Sequence, residues 1–139
     1  MKQKYIFLSG EGNAWFEGNN KKITETDYLS DIVQDGWNKI AKDIELPIHT
    51  GSIYPLSHFD FKDNESLVLK TLFTQEMLAR GYLATNSFYC SFAHTEEIVQ
   101  QYLVKVDEVF TLIKKSIDEN TSEKLLKGPV CQSWFKRLN

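Results

Sequence analysis

The sequence predicts an α+β fold, in which two to three helices cover one face of a small antiparallel sheet of three to four strands. Two long stretches, 27–44 and 95–117, repeat apolar residues with the 3.6-residue period of an amphipathic helix. Residues 58–61 instead alternate polar with apolar, as a half-buried strand does. Gly and Pro separate these stretches from one another. Helices segregated from a short antiparallel sheet are typical of the α+β class.

The first 26 residues form an amino-terminal segment without a clear place in this scheme. Tyr5 to Leu8 is aromatic and β-branched, which favours a short strand before Gly10. Ala14 to Phe16 predicts a second strand, and residues 17–22 predict a turn, because Gly and Asn tolerate positive φ. We therefore expect a possible hairpin here, outside a domain that spans 27–139.

The first helix is predicted from Asp27 to Ile44. Thr26 or Asp27 can cap it, because a short side-chain oxygen accepts the unpaired N–H groups of the first turn. Pro47 marks the end of the helical stretch. The residues predicted to face the core are Leu29, Ile32, Val33, Trp37, Ile40, Ala41 and Ile44.

Residues 48–61 predict two short strands joined by a bend, and residues 62–66 then close the second strand and cap the next helix. Arg80 lies near the negative end of that helix, and Gly81 can supply a left-handed cap. The residues predicted to face inward from the helix are Leu69, Leu72, Phe73, Met77 and Leu78.

After Gly81, residues 82–84 and 88–92 predict an edge strand and an inner strand around a Thr-Asn-Ser turn. Thr95 then caps a long helix whose first turn carries Glu96 and Glu97, where carboxylates interact favourably with the helix dipole. The residues predicted to face the sheet are Ile98, Tyr102, Val106, Val109, Ile113 and Ile117.

Composition limits the classes of function. A chain of 139 residues is long enough to bury the core of one domain. The net charge of −3 and the pI near 5.6 do not provide the basic surface that nucleic-acid binding needs. The longest early apolar run, Tyr5 to Leu8, is too short for a membrane span. Two cysteines outside any CxxC pair favour reduced thiols and the cytoplasm.

Few residues carry obvious chemistry. His49, His58 and His94 are not spaced with other ligands as metal sites are, so no metal site is predicted. His94 lies where a strand passes into a helix, and its ring is expected to hold that corner by bonding backbone carbonyls. No GxSxG or phosphate-loop motif occurs, so we predict no catalytic residues. An unrelated small enzyme would need a concave pocket with convergent titratable groups.

Several words of the sequence match a known family. They are DGWNKIAKD at 35–43, GSIYPLSHFDF at 51–61, TLFTQEML at 71–78, RGYLA at 80–84, SFAHTEE at 91–97 and YLVKVDEVF at 102–110. On these words the chain from about residue 27 to 139 resembles the carboxy-terminal small domain of class III, pyridoxal-phosphate-dependent aminotransferases. It is most similar to the glutamate-1-semialdehyde aminomutase-like branch.

The resemblance implies that the cofactor belongs elsewhere. Enzymes of this family bind pyridoxal phosphate through a lysine Schiff base and an aspartate, and both residues belong to the large domain that precedes the small one. None of the fourteen lysines of this chain matches that motif. We therefore expect no cofactor in this chain alone, no cofactor-binding residues and no activity alone. A large-domain chain or a homodimer is the implied partner.

The resemblance also implies where substrate would come close. The segment 87–92 and the corner after it would border the mouth of the substrate pocket, which makes Tyr89, Ser91 and His94 the candidates for contact. Aminomutases carry an acidic residue where this chain has aromatic ones, so the resemblance does not predict which substrate is bound. The simpler alternative is that Phe88 and Phe92 are core and only Tyr89 faces outward.

Two roles remain for the chain. It is either a fragment or half of a split enzyme, or a diverged stand-alone binding or assembly module that kept the fold without catalysis. A domain separated from its partner should expose a contiguous apolar patch, expected around Ile53, Tyr54, Trp134 and Phe135. A module adapted to stand alone should cover that patch.

Overall fold

The protein is described by a computed structural model, which covers residues 6–7, 14–16, 22–53 and 56–133. Three helices and six strands follow one another along these residues. They are β1 (Ile6–Phe7), β2 (Ala14–Phe16), β3 (Lys22–Thr24), α1 (Glu25–Asp43), β4 (Ile48–Ile53), β5 (Leu56–Phe61), α2 (Ser66–Ala79), β6 (Ser87–Tyr89) and α3 (Glu96–Asp118), followed by a 3₁₀ turn at Glu123–Leu125.

The main sheet is antiparallel, in the order β4-β5-β6, with β5 in the centre. Thr50 pairs with Phe59 and Ser57 pairs with Phe88. Along β5, side chains alternate between the core and the other face, as predicted, and Ser57, Phe59 and Phe61 are buried. All three helices contribute to the core on that face. The predicted α+β fold, with a small antiparallel sheet covered by helices on one face, is confirmed.

Of the two strands predicted on either side of the Thr-Asn-Ser turn, the first is absent and the second is shorter than expected. Residues 82–84 form no strand, because the Ala84 N–H bonds to the Tyr82 carbonyl at 3.0 Å and is not available to a neighbouring strand. The inner strand ends at Tyr89 and does not continue to residue 92, because the chain turns at Phe92 and Ala93. Asn86 is buried and ties the turn to β5: its side chain donates to the Phe59 carbonyl at 2.8 Å.

The amino-terminal residues form a second antiparallel sheet, in the order β1-β2-β3. The two predicted strands are present, with Ile6 opposite Phe16, and a third strand, Lys22–Thr24, was not predicted. Residues 17–21 of the predicted turn lie outside the described residues. Helix α1 begins at Glu25, so the prediction of a cap at Thr26 or Asp27 is wrong; β3 leads directly into the helix.

The end of α1 is set by a left-handed residue and not by Pro47. Glu45 has φ 56°, and this turn lets the Leu46 N–H reach the Ala41 carbonyl at 2.8 Å. The Glu45 N–H bonds to the Lys42 carbonyl at 3.2 Å. This pair of bonds is the Schellman arrangement, which satisfies carbonyls that the helix end would leave unpaired. Leu46 and Ala41 are both buried, so the helix stop also closes the core.

The core is centred on Phe59, which is fully buried in the middle strand. Its ring lies edge-on to Trp37 of α1 at 4.9 Å between centroids and to Phe73 of α2 at 5.1 Å. Phe110 of α3 contacts it at 5.3 Å and Phe61 at 5.4 Å. Edge-to-face pairs are favourable because the positive ring edge meets the negative ring face. One side chain therefore joins all three helices to the sheet.

The buried faces of α2 and α3 agree with the predicted periods except at two residues. Leu78 and Ile98 were predicted to face inward, but they are 58% and 41% exposed. Neither lies on the helix face that the neighbouring elements cover. On α3 that face includes four further buried residues: Val99, Leu103, Phe110 and Ser116.

Gly81 forms the predicted left-handed cap of α2, with φ 87°. The Tyr82 N–H reaches the Met77 carbonyl at 3.0 Å, so the chain reverses within one residue. We expect Gly81→Ala to lower the free energy of unfolding by about 1–2 kcal/mol, because a Cβ makes this backbone conformation unfavourable. Urea denaturation measures the change. Gly128→Ala is the control, since nothing lies within 4 Å of a Cβ there. Equal effects of the two substitutions would contradict the assignment.

Candidate functional site

Beside the predicted site residues, a cleft of about 290 Å³ lies between the 82–84 segment, β6 and the first turns of α3. We call it the aromatic cleft, because four of its residues are Tyr or Phe. Its lining consists of Tyr82, Leu83, Ala84, Ser87, Phe88, Tyr89, His94, Ile98 and Tyr102. Among these described lining residues there is neither a lysine nor an arginine, and neither a carboxylate nor a thiol.

Four rings in the cleft contact one another in sequence. Tyr82 lies 6.1 Å from Tyr102 between ring centroids, and Tyr102 lies 5.0 Å from Phe88. Phe88 in turn lies 5.0 Å from the ring of His94. The interplanar angles of 50–59° are those of tilted contacts, not of a parallel stack. The rings therefore form a continuous wall with faces and edges turned in several directions.

Tyr102 connects this wall to the core. Its hydroxyl accepts a hydrogen bond from Trp37 Nε1 at 3.1 Å, and its side chain is almost completely buried. Burial raises the pKa of the Tyr102 hydroxyl, and the Trp37 bond only partly opposes this effect. The hydroxyl is therefore neutral near pH 7, and it fixes the position of the ring.

His94 and Ser91 bond to each other across the turn before α3. The backbone N–H of Ser91 donates to the ring nitrogen Nδ1 of His94 at 3.0 Å. The backbone N–H of His94 in turn donates to the Ser91 carbonyl at 3.0 Å. Ser91 Oγ lies 3.1 Å from the same Nδ1. His94 thus holds the corner, although its ring accepts from an amide and does not bond a carbonyl. Nδ1 is thus the ring nitrogen that fixes the orientation of His94.

The three residues predicted to lie at a substrate mouth are close together. Tyr89 and His94 both line the cleft, and Ser91 is bonded to His94. Tyr89 is 64% exposed, as alternation along the strand predicted. Phe92, which the simpler alternative placed in the core, is 70% exposed, and Phe88 is half-buried. The alternative is therefore wrong for Phe92.

The sequence did not predict that Ile98 and Tyr102 lie together in the cleft. Ile98 and Tyr102 were assigned to the core by the helical period, yet both line the cleft together with His94. Their spacing was the signal that could have indicated this, because residues four positions apart on a helix lie on the same face. His94 comes one residue before the Thr95 cap, so it lies at the start of the same helix. Tyr82 was assigned to an edge strand, but it lines the cleft from an irregular segment.

Behind the cleft, Cys90 is buried beside a small polar cluster. Ser30 Oγ and Ser57 Oγ are 2.5 Å apart between α1 and β5, and Gln34 Nε2 donates to Ser57 Oγ at 3.2 Å. Burial raises the pKa of the Cys90 thiol to about 11, against a weaker lowering by its hydrogen bond with Ser30. The reactive form of cysteine is the thiolate. Cys90 is therefore an unreactive packing residue.

We predict that iodoacetamide at pH 7 labels Cys131 in the native protein and labels Cys90 only after denaturation. The physical reason is that Cys131 is partly exposed, whereas Cys90 is buried and protonated. In the folded protein the pKa of the Cys90 thiol is above the usual thiol value of 9.0. The protonated Cys90 thiol therefore stabilises the fold below pH 9, and this contribution is lost as the pH rises through about 11. Peptide mass mapping identifies the labelled thiol. Equal labelling of both would contradict the prediction.

No protein-family model, curated protein or solved structure matches the chain. Across the parts of the chain that the structure describes, no group of three or more His, Cys, Asp or Glu side chains is placed to hold a metal ion. No helix in those same parts is long and apolar enough to cross a membrane.

Proposed function

We propose that this chain is the small domain of a pyridoxal-phosphate-dependent aminotransferase or aminomutase, and that it requires a large-domain chain to be active. The observation that carries the proposal is the exposure of large apolar side chains at and beside the segment 87–92, which resembles the substrate mouth of that family. Phe92 is 70% exposed and Tyr89 64% in this segment, and Leu83, which lines the same cleft as Tyr89, is 94% exposed. Leu56, which pairs with Tyr89 in the sheet, is also exposed.

Such a group of exposed residues is unusual on a protein that acts alone, because contact with water makes apolar surface unfavourable. A partner domain packed over this side would bury these residues and close the aromatic cleft. The apolar patch predicted around Ile53, Tyr54, Trp134 and Phe135 involves side chains outside the described ones. The exposed group at β6 is a different surface, and it supports the same dependence on a partner.

The lysines support the proposal from another direction. A lysine that forms a Schiff base must lose its proton, which usually requires a desolvated site that lowers its pKa. In the described part of the chain, Lys105 and Lys114 instead pair with Glu108 and Asp118, both at 2.7 Å. The Lys39 ammonium bonds to a carboxylate of the next helical turn, and this bond raises the pKa of Lys39. The raised pKa keeps the Lys39 amine protonated and a poor nucleophile.

The proposed role of the chain is to close the substrate site. Tyr89, with Ser91 and His94 at the neighbouring corner, would lie at the mouth of a pocket that the large domain forms around the cofactor. Pyridoxal phosphate would supply the electron sink for an amino or oxo acid. The exposed rings would exclude water from that pocket, which strengthens electrostatic interactions inside it. The proposed partner is a large-domain chain or a homodimer.

Reconstitution tests the proposal. The large domain encoded by a neighbouring reading frame, or a class III aminotransferase truncated before its small domain, is mixed with this chain. We expect amino-group transfer in the mixture and in neither component alone. Phe92→Asp should abolish reconstitution, because it places a charge in the proposed contact. Val104→Asp, at an apolar residue of α3 that is 58% exposed, is the matched control. Transfer with no dependence on this chain would contradict the proposal.

A second candidate is a stand-alone binding or assembly module. The closed core around Phe59 favours it, because all three helices pack on the sheet without help from another chain. The two free thiols are compatible with a cytoplasmic location for either candidate. Sedimentation analysis separates them: the module should remain folded and unchanged in mass when large domain is added, whereas the small domain should form a heavier complex.

A further inference from the structure

The aromatic cleft has the chemistry of a site for a cation without hydrogen-bond donors. We propose that it binds the alkylated ammonium group of a small molecule, such as a trimethylammonium group. This inference goes beyond the proposed function, because binding by this chain alone holds whether or not a large domain exists. Of the lining residues, only Tyr89 and His94 belong to the substrate mouth that the resemblance implies; Tyr82, Phe88 and Tyr102 are assigned to no ligand.

The first argument is the number and arrangement of rings. Tyr82, Tyr102 and Phe88 form a wall in which neighbouring centroids are 5.0–6.1 Å apart, and Tyr89 stands at the rim. The face of an aromatic ring is negative, so a cation within about 6 Å of the ring centroid is attracted to it. Neighbouring rings of this wall are tilted at 57° and 59° to each other, so they do not form a parallel stack.

The second argument is charge. A carboxylate or phosphate ligand would need a cationic side chain, and none of the described lining residues is lysine or arginine. His94 Nδ1 accepts from the Ser91 N–H, so this nitrogen is already occupied within the chain. The positive end of α3 lies nearby, but Glu96 and Glu97 in its first turn offset that charge. A cation is thus favoured over an anion.

The third argument is size and hydration. A cleft of about 290 Å³ is at the small end of ligand pockets, which favours a small molecule over a peptide. Leu83 and Ile98 add apolar walls that suit N-methyl groups. A fully alkylated nitrogen has no N–H donor, so it can lie against these apolar side chains without leaving a donor unpaired.

Calorimetric titration of the purified chain tests the inference, with choline and its neutral isostere 3,3-dimethylbutan-1-ol as probes. The two molecules have the same shape and differ in charge. We expect choline to bind at least about tenfold more tightly, because only a cation gains from the ring faces. Equal affinities would overturn the inference, since they would show a merely apolar cleft. Failure of choline to bind at all would overturn it as well.

Variants at the exposed rim locate the site. Tyr89→Leu should weaken choline binding at least about fivefold, whereas Tyr89→Phe, which keeps the ring, should retain it. Tyr89 is mostly exposed, so neither change should affect folding, and circular dichroism checks this. Unchanged choline affinity in folded Tyr89→Leu would overturn the assignment of the cation to this cleft. None of these results depends on reconstitution with a large domain, so the two proposals fail separately.

Discussion

Phe59→Ala is expected to lower the free energy of unfolding by about 3–5 kcal/mol, which is the cost typical of removing a fully buried aromatic ring. Phe59 has no exposed surface, and its ring contacts Trp37, Phe73 and Phe110 from three helices. Alanine would leave a cavity at the point where these elements meet. The same substitution would remove four edge-to-face contacts, each favourable beyond the burial of its area.

Urea denaturation followed by circular dichroism measures this loss. Phe92→Ala is the matched control, because Phe92 is the same residue type but is 70% exposed. We expect it to change stability by less than about 0.5 kcal/mol. A cost below about 1 kcal/mol for Phe59→Ala, or similar costs for both substitutions, would show that the core is not organised around Phe59.

Gly36→Val is expected to destabilise the protein by about 1–3 kcal/mol through overpacking where α1 crosses α3. A Cβ at position 36 would lie 2.5 Å and 2.6 Å from the two methyl groups of Leu103, and 3.1 Å from its Cγ. The whole branched end of Leu103 thus occupies the space that a side chain needs. Valine adds two further methyl groups at the same place, so the helices must separate.

Two further variants identify the cause. Gly128→Val is the control, because a Cβ there meets nothing within 4 Å. Leu103→Ala removes the atoms that a side chain at 36 would contact. We therefore expect Gly36→Val to cost less in the Leu103→Ala background than in the native one, a coupling of about 0.5–3 kcal/mol. Strict additivity of the two substitutions would contradict a contact between Gly36 and Leu103.

Much of the fold could be predicted because local patterns and tertiary packing agree. The helical periods located α1, α2 and α3, and the Thr95 side chain accepts the Ile98 N–H at 3.2 Å as a cap should. Alternation placed Phe59 and Phe61 in the core. Each of these signals depends on residues close together in sequence, which is why periodicity reports them.

The remaining features depend on contacts between distant residues. Gln75 on α2 accepts from the Lys127 N–H at 2.7 Å and donates to the Leu125 carbonyl at 3.0 Å, so it holds the segment after α3. Nothing in the local pattern distinguishes this glutamine from a solvent-exposed one. Ser30 likewise lies in the core only because Ser57 lies opposite it on β5.

The candidate site was predicted only in part for the same reason. Tyr89, Ser91 and His94 are close in sequence, and they are also close in the structure. The wall behind them needs Tyr82 and Tyr102, which are far apart in sequence but whose ring centroids lie 6.1 Å apart in the fold. A residue such as Tyr102 has the period of a core position, so its place in the cleft could not be separated from its place in the core.

The dependence of this chain on another domain for its cofactor is tested most directly by adding pyridoxal phosphate to the purified protein. The mixture is reduced with borohydride, which makes any lysine adduct permanent, and the mass of the intact chain and of its peptides is measured. We predict no stoichiometric adduct on a defined lysine, only low and scattered modification of exposed amines. One cofactor per chain, fixed to a single lysine and accompanied by a visible absorption band before reduction, would contradict the account.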